Sequence, residues 1–285
     1  MKISTIIRAT AVAGITGAVA GCALMGTRPG QTGPDTQQAP ETGSATRADT
    51  ALYASAAQLP EQIAADGTTI TVGNPAARST VHLYEDPRCP VVEEYERTGA
   101  KALQTLLLGG QIKAQYTFAS FKDDRLGGDG SQRAVNALRA ALAKGKFVEY
   151  HRVLFDHQAD VESSGGFTTE RLLQLAGKVP GLRDETFDQA VRTMKHQSFV
   201  TASEKAYEHT GDDPRGPGTP TVTVNGHMID GALYPTKFDP RLLTLLITDL
   251  HQRPHNWDAV YKPLKDRLEA QELEAQELEA QEEGY

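Results

Sequence analysis

The sequence predicts an α/β domain in which a helical segment interrupts a single sheet. Three observations lead there. β-Branched runs with strand alternation lie at both ends of the central region, apolar residues at helical spacing fill the stretch between them, and an Asn-Gly pair joins two late strands. Strands on either side of a block of helices imply one sheet with a helical subdomain inserted in a connection.

The elements follow in order. Residues 51–65 (ALYASAAQLPEQIAA) form a short helix or lead-in. Residues 68–73 are a strand stopped by Gly73-Asn74-Pro75. Residues 80–85 (TVHLYE) alternate as a second strand, which Asp86-Pro87 ends. Residues 91–108 form a helix with Tyr95, Ala102, Leu103, Leu106 and Leu107 on one face. Pro90 suits its first turn, where the missing N–H costs nothing, and Gly109-Gly110 closes it. Residues 112–121 are a third strand. Residues 132–157 make one or two helices, broken at Lys144-Gly145-Lys146. Residues 167–170 (FTTE) have the pattern of a capping box before Leu172, Leu173 and Leu175. A further helix spans residues 184–209, with Phe187, Val191, Met194, Phe199 and Ala202 buried. Residues 219–224 return to strand, Asn225-Gly226 turns the chain, residues 227–231 run back, and residues 240–250 form a last apolar-faced helix.

The ends are of a different kind. Residues 1–21 have the layout of an export signal: Lys2 and Arg8, then a short apolar stretch over residues 9–20 that cannot span a bilayer. Val19-Ala20-Gly21-Cys22 resembles a bacterial lipobox. That resemblance implies cleavage before Cys22, lipidation of its thiol, and a cell-membrane location on the extracytoplasmic face, each buried methylene contributing about 0.8 kcal/mol to the anchor. An ordinary export signal with a chance cysteine is the alternative. Residues 22–50, rich in Gly, Pro, Thr and Gln, read as a disordered tether. Residues 254–265 are expected to pack back onto the domain through Trp257 and Tyr261. The LEAQE repeats that follow place leucine every five residues, which matches no helical seam, so residues 266–285 read as a solvated acidic tail. The folded domain is thus expected over residues 51–265, with the helical insertion at about 130–212.

The net charge of −8 argues against nucleic-acid binding, which needs a basic patch. The 8 histidines are scattered, with none at ligand spacing from Cys89, so no metal site is expected. The Gly127-Gly128-Asp129-Gly130 loop lacks the Gly-Lys-Ser/Thr of a phosphate loop. No cofactor is expected.

The chain has two cysteines, Cys22 and Cys89. A strand ending in Asp86-Pro87-Arg88-Cys89-Pro90, a helix beginning at that cysteine, a helical insertion, and Gly218-Thr219-Pro220-Thr221 ahead of a hairpin together resemble the DsbA-like branch of the thioredoxin superfamily, over about residues 68–250. The resemblance implies a thioredoxin-like fold with an inserted helical subdomain. It places the nucleophilic cysteine at Cys89 and a cis proline at Pro220, preceded by Thr219. The second, resolving cysteine of the family falls on Val92. A mixed disulfide formed on Cys89 then has no internal thiol to release it, so dithiol cycling is not expected.

The charges around Cys89 pull in opposite directions. A helix N-terminus favours a thiolate, as do Arg88 and Arg97, while Glu85, Asp86, Glu93 and Glu94 oppose it. Three readings stay open. Cys89 exchanges with or traps thiols of partner proteins; the domain is an inactive fold that binds unfolded or extended peptides at the cell envelope; or Cys89 links two copies. The expected partners are cysteine-containing or unfolded exported proteins, and the membrane through the lipid anchor.

Overall fold

The protein is described by a computed structural model over residues 51–283. Cys22, the export signal and the tether lie outside the described residues.

Six strands form one sheet: β1 (Glu61–Ile63), β2 (Ile70–Gly73), β3 (Ser79–Glu85), β4 (Ile112–Phe118), β5 (Thr221–Val224) and β6 (His227–Met228), in the order β1-β2-β4-β3-β5-β6. Only β3 and β4 pair in parallel, and the helices α1 (Pro90–Arg97) and α2 (Lys101–Leu108) make the crossover between them. In β3, Val81, Leu83 and Glu85 point inward while the residues between them are half-buried, the period-two pattern of a strand. Asn225 and Gly226 both take positive φ, as a two-residue turn requires.

The insertion comprises α3 (Lys122–Leu126), α4 (Gly130–Leu142), α5 (Phe147–Asp156), α6 (Gln158–Ser163), α7 (Thr169–Ala176), α8 (Glu185–Arg192) and α9 (Gln197–Glu208). Thr168 caps α7 by accepting a hydrogen bond from the Arg171 N–H. Phe147 and Phe118 are buried where the insertion meets the sheet, each contributing about 2–3 kcal/mol by leaving water. Helix α10 (Pro240–Gln252) buries Leu243, Leu246, Ile247 and Leu250, and Asp239 caps it by accepting from the N–H groups of Arg241 and Leu242.

Several elements differ from the sequence reading. Residues 51–65 yield only a short 3₁₀ turn (Ala56–Gln58), then β1, which adds an edge strand to β2. The helix expected over residues 91–108 is two helices. At Gly99 a Cβ would stand 1.6 Å from the Lys237 carbonyl oxygen, so the chain breaks there to admit a neighbouring backbone. The helix expected over residues 184–209 is also two, parted by Met194 at positive φ; Met194 and Ala202 are half-buried rather than buried. Helices α3 and α6 carried no clear periodicity because each is under two turns long.

Trp257 is buried and stacks on His227 at 4.5 Å between ring centroids, and the Tyr261 hydroxyl donates to Asp249. Helix α11 (Lys262–Glu283) carries the LEAQE repeats, with Leu273 and Leu278 exposed. No helix among the described residues is long and apolar enough to cross a membrane.

Candidate active site around Cys89

The antiparallel pairing of β3 with β5 sets Tyr84 opposite Thr221. The chain leaving β3 therefore meets the chain entering β5. Cys89 lies on the first of these segments, and Thr219-Pro220 on the second, joined by a cis peptide bond. The Cys89 thiol donates to the Thr219 carbonyl oxygen at 3.4 Å. A carbonyl only accepts, so the thiol is the donor in this contact.

Cys89 is the N-cap of α1, but its sulfur makes no capping hydrogen bond. Its own carbonyl takes the N–H groups of Val92 and Glu93. Cys89 is 2% exposed and packs in a small cluster with Val92 and Phe155, against which Val91 also rests. Val92 is fully buried. The position onto which the DsbA-like resemblance placed the resolving cysteine is thus an apolar packing residue next to the thiol.

The loop is held from the insertion. Gln158 Nε2 donates to the carbonyls of Pro87 (2.8 Å) and Cys89 (2.9 Å). Asp86 accepts from the Arg88 N–H, the Ser131 hydroxyl and the Lys122 N–H, while burial pushes its carboxyl up to about 6. The Arg88 guanidinium is held by the insertion. It pairs with Asp123 at 2.9 Å and Glu162 at 3.1 Å, and donates to the Gly127 carbonyl. On the other side, buried Lys237 donates from Nζ to the Pro220 carbonyl at 2.7 Å and lies 3.8 Å from the centre of the Tyr234 ring. Burial lowers its amine to about 8, against the opposing charge of Asp230.

A groove of about 580 Å³ runs past Cys89, with Val91, Phe121, Tyr207, Pro217 and Thr219 among its walls. Phe121 and Tyr207 stack at 5.7 Å, and the Gly218 N–H donates to the Tyr207 hydroxyl at 3.0 Å. Gly216 has positive φ, and a Cβ there would stand 2.4 Å from the Tyr207 ring. The groove is therefore a shaped surface of backbone, aromatic rings and charged side chains, Lys122, Arg125, Glu204 and Arg215 among them, beside one thiol.

A family model described as thioredoxin matches residues 65–242, which contain both Cys89 and the cis Thr219-Pro220 bond. The chain belongs to the thioredoxin family. This thioredoxin-family protein has the DsbA-like fold. It resembles MdbA of Actinomyces oris, a thiol-disulfide oxidoreductase, at 23% identity and a TM-score of 0.54, over 66% of this chain and 88% of that one. It resembles BdbD of Bacillus subtilis at 21% identity and a TM-score of 0.54, over 67% and 96%. Chlamydia trachomatis DsbA is similar at 18% identity and a TM-score of 0.52, over 64% and 91%. No curated protein matches the sequence.

Cys89, Val92, Thr219 and Pro220 come together in this thioredoxin fold, across 130 residues of chain from the thiol to the Thr219 carbonyl. Gln158, Phe155 and Lys237 complete the site, and sequence reasoning missed all three. A lone glutamine, a core-type phenylalanine and a lysine among loop residues carry no motif. Cys22 is not among the described residues.

Proposed function

We propose that this protein is an extracytoplasmic, membrane-anchored thioredoxin-fold protein that holds cysteine-containing exported polypeptides through a single thiol. The supporting observation is the pairing of Cys89 on the groove wall with fully buried Val92 at the resolving position. In the proposed step, the Cys89 thiolate attacks a disulfide of the partner. One partner sulfur bonds to Cys89, and the other leaves as a thiolate. Return requires an external thiol, which attacks the mixed disulfide and frees Cys89. The groove beside the cis proline receives the extended segment that carries the partner sulfur. The anchor is the lipidated Cys22 that the lipobox resemblance implies.

The test is trapping. A peptide activated as a mixed aromatic disulfide is mixed with the purified protein, and the adduct is weighed by mass spectrometry. One adduct on Cys89 is expected, stable until an external thiol is added, with no turnover in insulin reduction. Failure of Cys89 to form an adduct at any pH up to 9 would sink this reading.

The burial of the sulfur and its bond to Thr219 favour a second reading, in which the groove binds extended peptides without covalent chemistry. Under it, Cys89→Ser binds an unfolded cysteine-free polypeptide as tightly as the parent does.

A further inference from the structure

Behind the thiol, β3, α1 and α5 bring Glu85, Glu96 and His151 into one cluster. Glu85 closes β3 at an inward position and is fully buried. His151 Nε2 lies 2.7 Å from Glu85 Oε2, and His151 Nδ1 lies 3.8 Å from Glu96 Oε2. One ligand atom from each of the three lies within 4.8 Å of the other two. The remaining oxygens are unsatisfied: Glu85 Oε1, Glu96 Oε1 and the hydroxyl of fully buried Tyr95 have no hydrogen-bond partner. Among the described residues, no lysine or arginine pairs with either carboxylate. The surroundings are aromatic, with Tyr116 and Phe155 at 5.1 and 4.8 Å from the imidazole. Two carboxylates facing one imidazole in such a place lack a cation, and a buried carboxylate without one is costly.

We propose that Glu85, Glu96 and His151 form a binding site for a divalent transition-metal cation of the zinc class. Carboxylate oxygen and imidazole nitrogen are donors that zinc accepts, at about 2.0–2.2 Å. Two carboxylates balance the charge of a divalent ion, and the neutral imidazole adds none. Two donors on a tetrahedral ion of this kind stand about 3.4 Å apart, so a cluster no wider than 4.8 Å closes on it by small side-chain adjustments. Calcium and magnesium fit poorly, since they take six or more oxygen ligands. The Glu96 side chain is 14% exposed and marks the side of entry. The three ligands come from three elements. A bound ion therefore ties α1, which Cys89 caps, to α5 of the insertion and to the end of β3.

The test uses the full chain carrying Cys22→Ser and Cys89→Ser, so that no thiol binds metal. It is titrated with zinc chloride by calorimetry, and its zinc content is measured after gel filtration. One equivalent is expected. Glu85→Gln and Glu96→Gln are each expected to weaken binding at least tenfold, while Glu94→Gln, on an exposed position of the same helix, leaves it unchanged. Zinc at a hundredfold excess over Kd should raise the Tm by about 5 °C. Should Glu85→Gln fail to fold, Glu96→Gln decides. The proposal is overturned by the absence of zinc binding, by equal binding in the Glu96→Gln chain, or by a Tm rise with calcium or magnesium but not with zinc.

Discussion

The Cys89 thiol rests 3.4 Å from the carbonyl oxygen of Thr219, the residue joined to Pro220 by a cis bond, while Val92 fills the space on the helix side of the sulfur. Thiol and groove lie side by side, and the residue three positions beyond the thiol is a buried hydrocarbon.

Val92→Cys follows directly. Valine and cysteine are similar in size, and the site is buried, so the substitution is expected to cost less than about 1.5 kcal/mol. The variant should form an internal disulfide with Cys89, read as loss of two titratable thiols on oxidation. It should also gain turnover in insulin reduction that the parent lacks. Formation of the disulfide without turnover would place the defect in the groove instead.

Gly99→Ala drives a methyl group into the Lys237 carbonyl, with 1.6 Å between the new Cβ and that oxygen. A destabilisation of about 3 kcal/mol is expected from urea unfolding. Gly109→Ala is the control. Its φ is −71°, and its Cβ meets nothing nearer than 3.4 Å, so its stability should stay within about 1 kcal/mol of the parent.

Lys237 confers a pH dependence whose sign is set by burial. Its amine titrates near 8 in the folded chain against an ordinary 10.5, so the unfolded chain binds more protons between those values. Stability from this group therefore rises as pH climbs from about 8 to 10.5, and its cost is fully present below 8. After allowance for solvent screening, the gain is about 1–2 kcal/mol. In Lys237→Met this part of the profile should vanish, measured as urea unfolding at pH 7 and pH 10. A parent profile that falls over that range by more than the variant's would refute the assignment.

Arg88→Ala removes the only cation paired with Asp123 among the described residues and leaves that carboxylate 4% exposed. Loss of about 3 kcal/mol is expected, since breaking a buried pair strands a charge. Thiol reactivity is the second readout. With the Arg88 guanidinium engaged by Asp123, Glu162 and the Gly127 carbonyl, the pH dependence of Cys89 alkylation in the native state should change little.

Removing residues 270–285 deletes the end of the repeats, exposed over residues 270–280, and should shift the Tm by less than about 2 °C. Removing the chain from residue 257 onward also strips Trp257 from His227. It is expected to cost about 2–3 kcal/mol, read by the same thermal scan.

Much of this protein was determined by local sequence alone. Strand alternation over β3, the Asn225-Gly226 turn, the proline at the start of α1 and the Cys89/Val92 spacing are all short-range signals, because side-chain period and turn chemistry act over a few residues. The break at Gly99 was not legible, since its cause is a carbonyl 138 residues away, at Lys237. The same holds for Gln158, for Lys237 on the Pro220 carbonyl, and for Glu85, Glu96 and His151 as a cluster. Each of these residues looks ordinary in its own neighbourhood. The orientation of the thiol was also left to the tertiary structure. The sequence located Cys89 at a helix start, a place from which a side chain either caps N–H groups or faces elsewhere, and the β3–β5 register turned it to Thr219. Contacts between distant segments depend on how sheet and helices pack, and that packing decides which polar groups share a buried space.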